Sequence, residues 1–375
     1  MKISFGIVSI LSVITLVIGV GHVVVYQAVV AFFSVKSQTI FSVLRIVTVL
    51  LSLSFVVTSI VTMLYSNKVL GFLYTASAVW LGTFFWLLIA STLGALVLVI
   101  SRSVGVESMW PLIVGQLCIY SAFIMSAYGV WHTNTIHITR YTVALSHLPT
   151  EWQGKKIAMV ADLHLGNVYG QAFSEKVSRL ISEENPEAVL VPGDFYDGPP
   201  ADFESLAKPF GALKTKYGTF FSTGNHESYR EMSIYTNALT SAGVKVIDDK
   251  VVNLDGLQII GLSYPSTTDV ETQKQVLASI GVDPTKPSIV LKHVPKDMGE
   301  LVQAGIGLQV SGHTHRGQVW PASLIAESIF GEYTYGHHLF QNMDVITTSG
   351  AGTWGPPQRI GTDSEIVIIT LVNKE

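Results

Sequence analysis

The chain has 375 residues, a formal net charge of −4, a mean hydropathy of +0.44 and only 13% charged side chains, which is unusual for a soluble protein and leaves room for two domains. No basic stripe or aromatic-interleaved Lys/Arg patch marks a nucleic-acid surface. The single cysteine, Cys118, excludes an intrachain disulfide framework and a thiolate zinc site, so any metal must be held by oxygen and nitrogen.

Charge is unevenly placed. Residues 1–132 carry six charged side chains, Lys2, Lys36, Arg45, Lys68, Arg102 and Glu107, and the acidic remainder lies beyond them. Apolar stretches at about residues 5–30, 46–65, 70–100 and 109–131 each approach or exceed the ~20 residues that cross a bilayer as a helix, so four spans are expected. The first is far longer than the h-region of a signal peptide and is expected to stay as an anchor. The third is too long for an upright span and must tilt, extend past the interface or break, with Gly71, Gly82 and Gly94 as weak points. His22 is the ionisable residue well inside a span; an interhelical hydrogen bond is its expected role. Trp110 and Trp131 bracket the fourth span as belt residues do. Lys36, Arg45 and Arg102 fall on one side and Lys2, Lys68 and Arg140 on the other, so positive charge does not select an orientation. An even number of spans places the amino terminus and the globular part on one face.

From Ile136 the pattern alternates through Ile138, Tyr141 and Val143, which predicts a strand within a short connection over 133–152. Over 153–375 apolar runs alternate with amphipathic segments, as in a layered α/β or α+β sheet protein. Phe173, Val177, Leu180 and Ile181 predict one helix, and Phe203, Leu206, Phe210 and Leu213 another. Asp255-Gly256 between two apolar runs predicts a tight hairpin.

The residues just beyond each core strand carry the chemistry. Ile157–Ala161 runs into Asp162-Leu163-His164, Ala188–Val191 into Gly193-Asp194, and Thr219–Thr223 into Gly224-Asn225-His226. Ser288–Lys292 runs into His293, and Leu308–Ser311 into Gly312-His313-Thr314-His315. Any one of these is commonplace, since a Gly-Asp after a strand is usually only a turn. Five in one context converge, because the carboxyl ends of strands in an open sheet form a ligand-binding crevice. The other histidines, at 22, 132, 137, 147, 337 and 338, lack this arrangement, and His337-His338 is expected to be a surface or loop pair. Oxygen and imidazole donors without thiolate suit manganese, zinc or iron, with manganese the working expectation, and one carboxylate can bridge two ions. Such a pair generates hydroxide at neutral pH and clamps phosphoryl oxygens, leaving the protein to supply a proton donor, for which an unligated histidine is the natural choice.

These five blocks resemble the calcineurin-like metallophosphoesterase family over about residues 150–320. The segments Asp162–Gly166, Gly312–Gln318 and Gly350–Pro357 look like its multi-pass, membrane-associated bacterial branch. The resemblance implies a four-layer sandwich of two mixed sheets flanked by helices, here preceded by an all-α transmembrane domain over 1–132. It also implies that Asp162, His164, Asp194 and His315 hold one metal and Asp194, Asn225, His293 and His313 the other, with Asp194 bridging. His226 would contact the scissile phosphate and protonate the leaving group, oriented by Glu227 or Asp197. Asn225 would also touch substrate, and Arg316 and Arg359 are further candidates for phosphate. The expected activity is hydrolysis of a phosphate mono- or diester, with a lipid-linked phosphate preferred because the site is tethered to a bilayer. The alternatives are the same chemistry on a soluble phosphoester such as a nucleotide, or a membrane sensing or transport protein whose metal domain binds without turnover. Native substrate, metal identity, sidedness and oligomeric state are not encoded in any motif.

Overall fold

The computed structural model describes residues 5–65, 67–106, 108–198, 202–229 and 231–374; Lys2 and Glu107 lie outside the described residues. Two compact units emerge, one made of Met1–Trp131 with Gly355–Gln358, the other of His132–Trp354 with Arg359–Glu375.

The first unit contains α1 (Phe5–Phe32), α2 (Gln38–Leu64), α3 (Lys68–Ser103) and α4 (Trp110–His132). All four are long and apolar enough to cross a membrane. Helix α2 begins well before residue 46 because Ser37 caps it, accepting the N–H of Ile40 at 3.4 Å. Helix α3 runs unbroken for 36 residues, about 54 Å at 1.5 Å per residue, so it exceeds a ~30 Å hydrocarbon core without kinking. Its glycines serve close approach instead. A Cβ on Gly94 would stand 2.8 Å from the Phe32 ring and one on Gly115 2.5 Å from it, so the end of α1 wedges between α3 and α4. A Cβ on Gly82 would meet Gln358, whose Nε2 donates to Ser126 Oγ at 2.8 Å, which is why four residues from late in the chain belong to this unit. His22 is buried, with Nδ1 2.8 Å from the Ile18 carbonyl oxygen. Its Nε2 accepts from Trp80 Nε1 at 3.1 Å and its ring stacks on Phe84.

The second unit is built on two six-stranded sheets. The first has the order β1 (Ile136–Leu145), β12 (Ser364–Asn373), β2 (Lys156–Met159), β3 (Ala188–Pro192), β4 (Thr219–Ser222), β5 (Lys245–Val246). The second has the order β10 (Gly336–Phe340), β11 (Met343–Thr347), β9 (Leu308–Ser311), β8 (Ser288–Leu291), β7 (Leu257–Gly261), β6 (Lys250–Leu254). Both mix parallel and antiparallel pairs. The two-residue alternation along each strand sorts side chains into separate cores. Ile157, Met159 and Leu190 face Ile259, Ile289, Leu291 and Val310 in a core shared by both sheets. Ala158, Val189 and Val191 point the other way, onto α5 (Gln171–Glu183), α6 (Phe203–Gly211) and α7 (Met232–Ser241). Ile260 and Val290 do the same toward α8 (Val270–Ser279) and α9 (Gly299–Gln303). The result is the helix–sheet–sheet–helix stack. The Asp255-Gly256 hairpin joins β6 to β7 with both turn residues at positive φ, 49° and 93°. His337 and His338 lie partly exposed on edge strand β10, so of the two expected places it is the surface and not a loop, and His337 Nε2 sits 2.6 Å from Asp344 Oδ1 on the adjoining strand.

Candidate metal centre

Strands β2, β3, β4, β8 and β9 are neighbours in their sheets, and the loops leaving their carboxyl ends carry all eight ligand-type residues into one cluster. Glycines make the convergence possible. A Cβ on Gly224 would lie 2.2 Å from Asp194 Oδ1, and one on Gly312 2.5 Å from Asp162 Oδ2. The ligand-type residues absorb the remaining strain, since Asp162, His164, Asp194, His313 and His315 all adopt φ between 48° and 71°. Such conformations persist only where the surroundings over-determine them.

The donor atoms fall into overlapping groups. Asp162, His164 and His315 form one, Asp194, His293 and His313 another, and His164, Asp194 and His226 a third. His164 and His315 face each other with Nε2 atoms 3.1 Å apart, so at most one proton stands between them and at least one lone pair is presented. Asn225 Oδ1 lies 3.0 Å from both His293 Nε2 and His313 Nδ1, and Asp194 Oδ2 lies 3.1 Å from His293 Nε2. His293 Nδ1 is directed at the Pro192 carbonyl oxygen at 2.9 Å, which can only accept, so Nδ1 carries a proton and Nε2 is left for the cluster. The carboxylates are pinned by backbone: Asp162 accepts the N–H of His313 at 3.0 Å and Asp194 that of His226 at 2.9 Å.

Electrostatics suits cations. Burial drives His164 down to about 4, helped by the charge of His226, and His313 down to about 3, helped by His293; His315 is also lowered well below its ordinary value by burial. Three imidazoles are therefore neutral, the form that coordinates metal. Burial lifts Asp162 to about 7, with the charge of Asp194 adding to it and that of His293 opposing. Burial also works to raise Asp194, but His293, His226 and His164 outweigh it and hold the carboxyl well below the usual range. A dense set of buried O and N donors fits divalent metal ions.

His226 differs from its neighbours. Its Nδ1 pairs with Asp197 Oδ1 at 3.1 Å. Burial opposes its charge, yet the Asp197 hydrogen bond and the charges of Asp194, Asp197 and Glu227 raise it to about 9. Of the two orienting candidates it is Asp197 that touches the ring. Glu227 instead lies fully buried beneath the cluster: Oε1 accepts the N–H groups of Phe195 (2.9 Å) and Tyr196 (3.1 Å), and Oε2 those of Asp194 (3.1 Å) and Gly224 (2.8 Å). Sequence reasoning offered no signal for that clamp beyond the position of the acid after Asn225-His226.

The two arginines have different surroundings. Arg359 is wholly buried and donates to the carbonyls of Ser349 (2.5 Å) and Gly352 (2.8 Å), so it is a structural brace for the loop behind Asp162 and not a phosphate ligand. That loop packs tightly, a Cβ on Gly350 falling 2.7 Å from Asp162 Cβ. The guanidinium of Arg316 lies over the Tyr335 ring, 4.4 Å from its centroid.

Replacing Glu227 by Ala should leave four buried N–H groups without their acceptor and lower stability by on the order of 3 kcal/mol or more. A thermal melt in detergent, with zinc or manganese affinity measured in parallel, checks this; an unchanged Tm would show that the clamp is not needed.

The calcineurin-like phosphoesterase family profile matches residues 155–317, the stretch that holds all eight residues. An uncharacterised metallophosphoesterase of Campylobacter jejuni is 31% identical over 61% of this chain and 62% of its own. One from Helicobacter pylori is 29% identical over 58% and 60%. A zebrafish protein described as a transmembrane protein with metallophosphoesterase domain is 28% identical over 61% of this chain and 56% of its own. The chain thus spans about three fifths of the length of these curated relatives. Residues 155–317 thus match the calcineurin-like phosphoesterase domain and are similar to the same domain in these relatives.

Proposed function

We propose that this chain is a membrane-bound, binuclear-metal phosphohydrolase that cleaves a phosphate mono- or diester. The gathering of seven O- and N-donor residues in one cluster around Asp194, with His226 beside them, carries the reading. In it, Asp162, His164, Asp194 and His315 hold one divalent ion and Asp194, Asn225, His293 and His313 the other, with manganese, zinc and iron all compatible. When bound, the ions supply charge to clamp the phosphoryl oxygens and acidify the attacking water. His226, its Nδ1 held by Asp197, turns Nε2 to the leaving oxygen and delivers a proton there. Asp197 stabilises the imidazolium before transfer and keeps the ring from rotating, while Asn225 is placed to contact substrate. Four spans put the amino terminus and the catalytic domain on one face of the membrane, which in a bacterial cell is the inner membrane.

A lipid-linked phosphate is the preferred substrate class, and two observations favour it over a soluble one such as a nucleotide. The first unit has four helices long and apolar enough to cross a membrane. Directly after His315, α10 (Ala322–Phe330) bares Leu324, Ile325 and Ile329, each more than half exposed, on one face, beside exposed Trp320. Trp354 is exposed too and is tied to Gln318 by two hydrogen bonds. Apolar side chains in water next to a metal site suit acyl chains or the bilayer interface.

Asp194→Asn and His313→Ala should each lose activity together with bound metal; full turnover by a thoroughly metal-stripped preparation would overturn the proposal. His226→Ala should keep both ions yet slow turnover by ~10²–10⁴, less for a substrate with an acidic leaving group. Loss of metal in proportion to activity would make His226 a ligand, as its place in the third donor group allows. Leu324→Asp with Ile325→Asp should depress hydrolysis of lipid phosphates in vesicles while sparing a soluble chromogenic phosphoester. Equal effects on both would favour the soluble substrate.

A further inference from the structure

We infer that His132, His137 and Asp363 form a separate binding site for one zinc-like divalent ion. All three belong to the second unit, and none is among the eight residues of the candidate centre. His132 is the last residue of α4, His137 the second residue of β1, and Asp363 immediately precedes β12. Backbone order places them. The parallel pairing of β1 with β12 sets Ile136 opposite Ser364 and His137 opposite Glu365, which brings Asp363 to the entrance of both strands. The turn from α4 is closed by the Thr135 N–H donating to the His132 carbonyl at 3.0 Å, so the remaining imidazole is carried to the same point.

His132 Nε2 lies 3.0 Å and His137 Nε2 3.7 Å from one oxygen, Asp363 Oδ1, with the rings inclined at 75°. The longer distance is beyond a hydrogen bond, so His137 is aimed at that oxygen without being bonded to it. Donor atoms around a tetrahedral zinc, with bonds of about 2.0–2.2 Å, stand roughly 3.3–3.5 Å apart, and the two observed spacings straddle that value. Two imidazoles and one carboxylate select zinc or a similar borderline ion over magnesium or calcium. The carboxyl end of α4 adds partial negative charge beside the ion. His137 and Asp363 are half exposed and His132 is 15% exposed, which leaves a side open for water to complete the shell. Three donors from three element ends make this a structural staple across the starts of β1 and β12.

Zinc per chain is to be counted by elemental analysis on the full-length protein in detergent, stripped with chelator and reloaded, as wild type, His137→Ala and Asp363→Asn. Each variant should hold one ion fewer than wild type and lose part of the zinc-induced rise in Tm, with melts in chelator unchanged. Hydrolysis of a soluble phosphoester should stay within about two-fold. The same comparison in an Asp194→Asn background should again differ by one ion, which separates this site from the binuclear reading. Equal zinc counts in all three proteins would overturn the inference and leave a histidine–aspartate hydrogen bond.

Discussion

Asp162, Asp194 and Glu227 are three carboxyl groups packed almost entirely out of water in one place, and that concentration of negative charge governs the rest of the catalytic half. A buried carboxylate is tolerated only when hydrogen bonds and opposite charge replace its hydration. Backbone N–H groups satisfy part of the demand, four of them on Glu227 alone. They do not satisfy all of it, since both Asp162 and Glu227 are pushed up to about 7 by burial. Divalent cations would close that gap, and the neutral imidazoles of His164, His313 and His315 are candidate ligands for them.

This demand explains features that otherwise look costly. Five left-handed non-glycine residues at the strand ends, and glycines whose Cβ would strike a carboxylate, are what it takes to bring donors from both sheets within a few ångströms. The sandwich supplies the rigidity. Ile157 and Met159 anchor β2 in the shared core while Ala158 and Val160 anchor it under the helices, so the Asp162 loop leaves a strand fixed on both faces. Arg359 then braces the neighbouring loop through carbonyls, its charge given over to structure.

The helical unit obeys another logic, because many of its large apolar side chains stay exposed instead of packing on one another. Contact there comes from shape and from polar pairs. Phe32 fits where Gly94 and Gly115 leave space, Thr83 Oγ1 and Ser126 Oγ meet at 2.6 Å, and His22 receives Trp80. Gln358 joins this set from a distant part of the chain.

The four long apolar helices, the strand-and-helix alternation and the eight residues brought to one cluster were legible in the sequence, because each depends on local period or on a residue's place at the end of an apolar run. Asp162, Asp194 and His313 declare themselves by their position just past a strand, and sheets gather strand ends on one side whatever the order of their strands. Partner choice was not legible. That Asp197 takes His226 while Glu227 turns to the backbone, that Arg359 is buried, and that His132 and His137 meet Asp363 more than two hundred residues on, all result from strand register and loop path. The exposed face of α10 belongs with these: Leu324 and Ile325 are apolar in the sequence, and only the packing of the second unit decides that they stay exposed among the described residues.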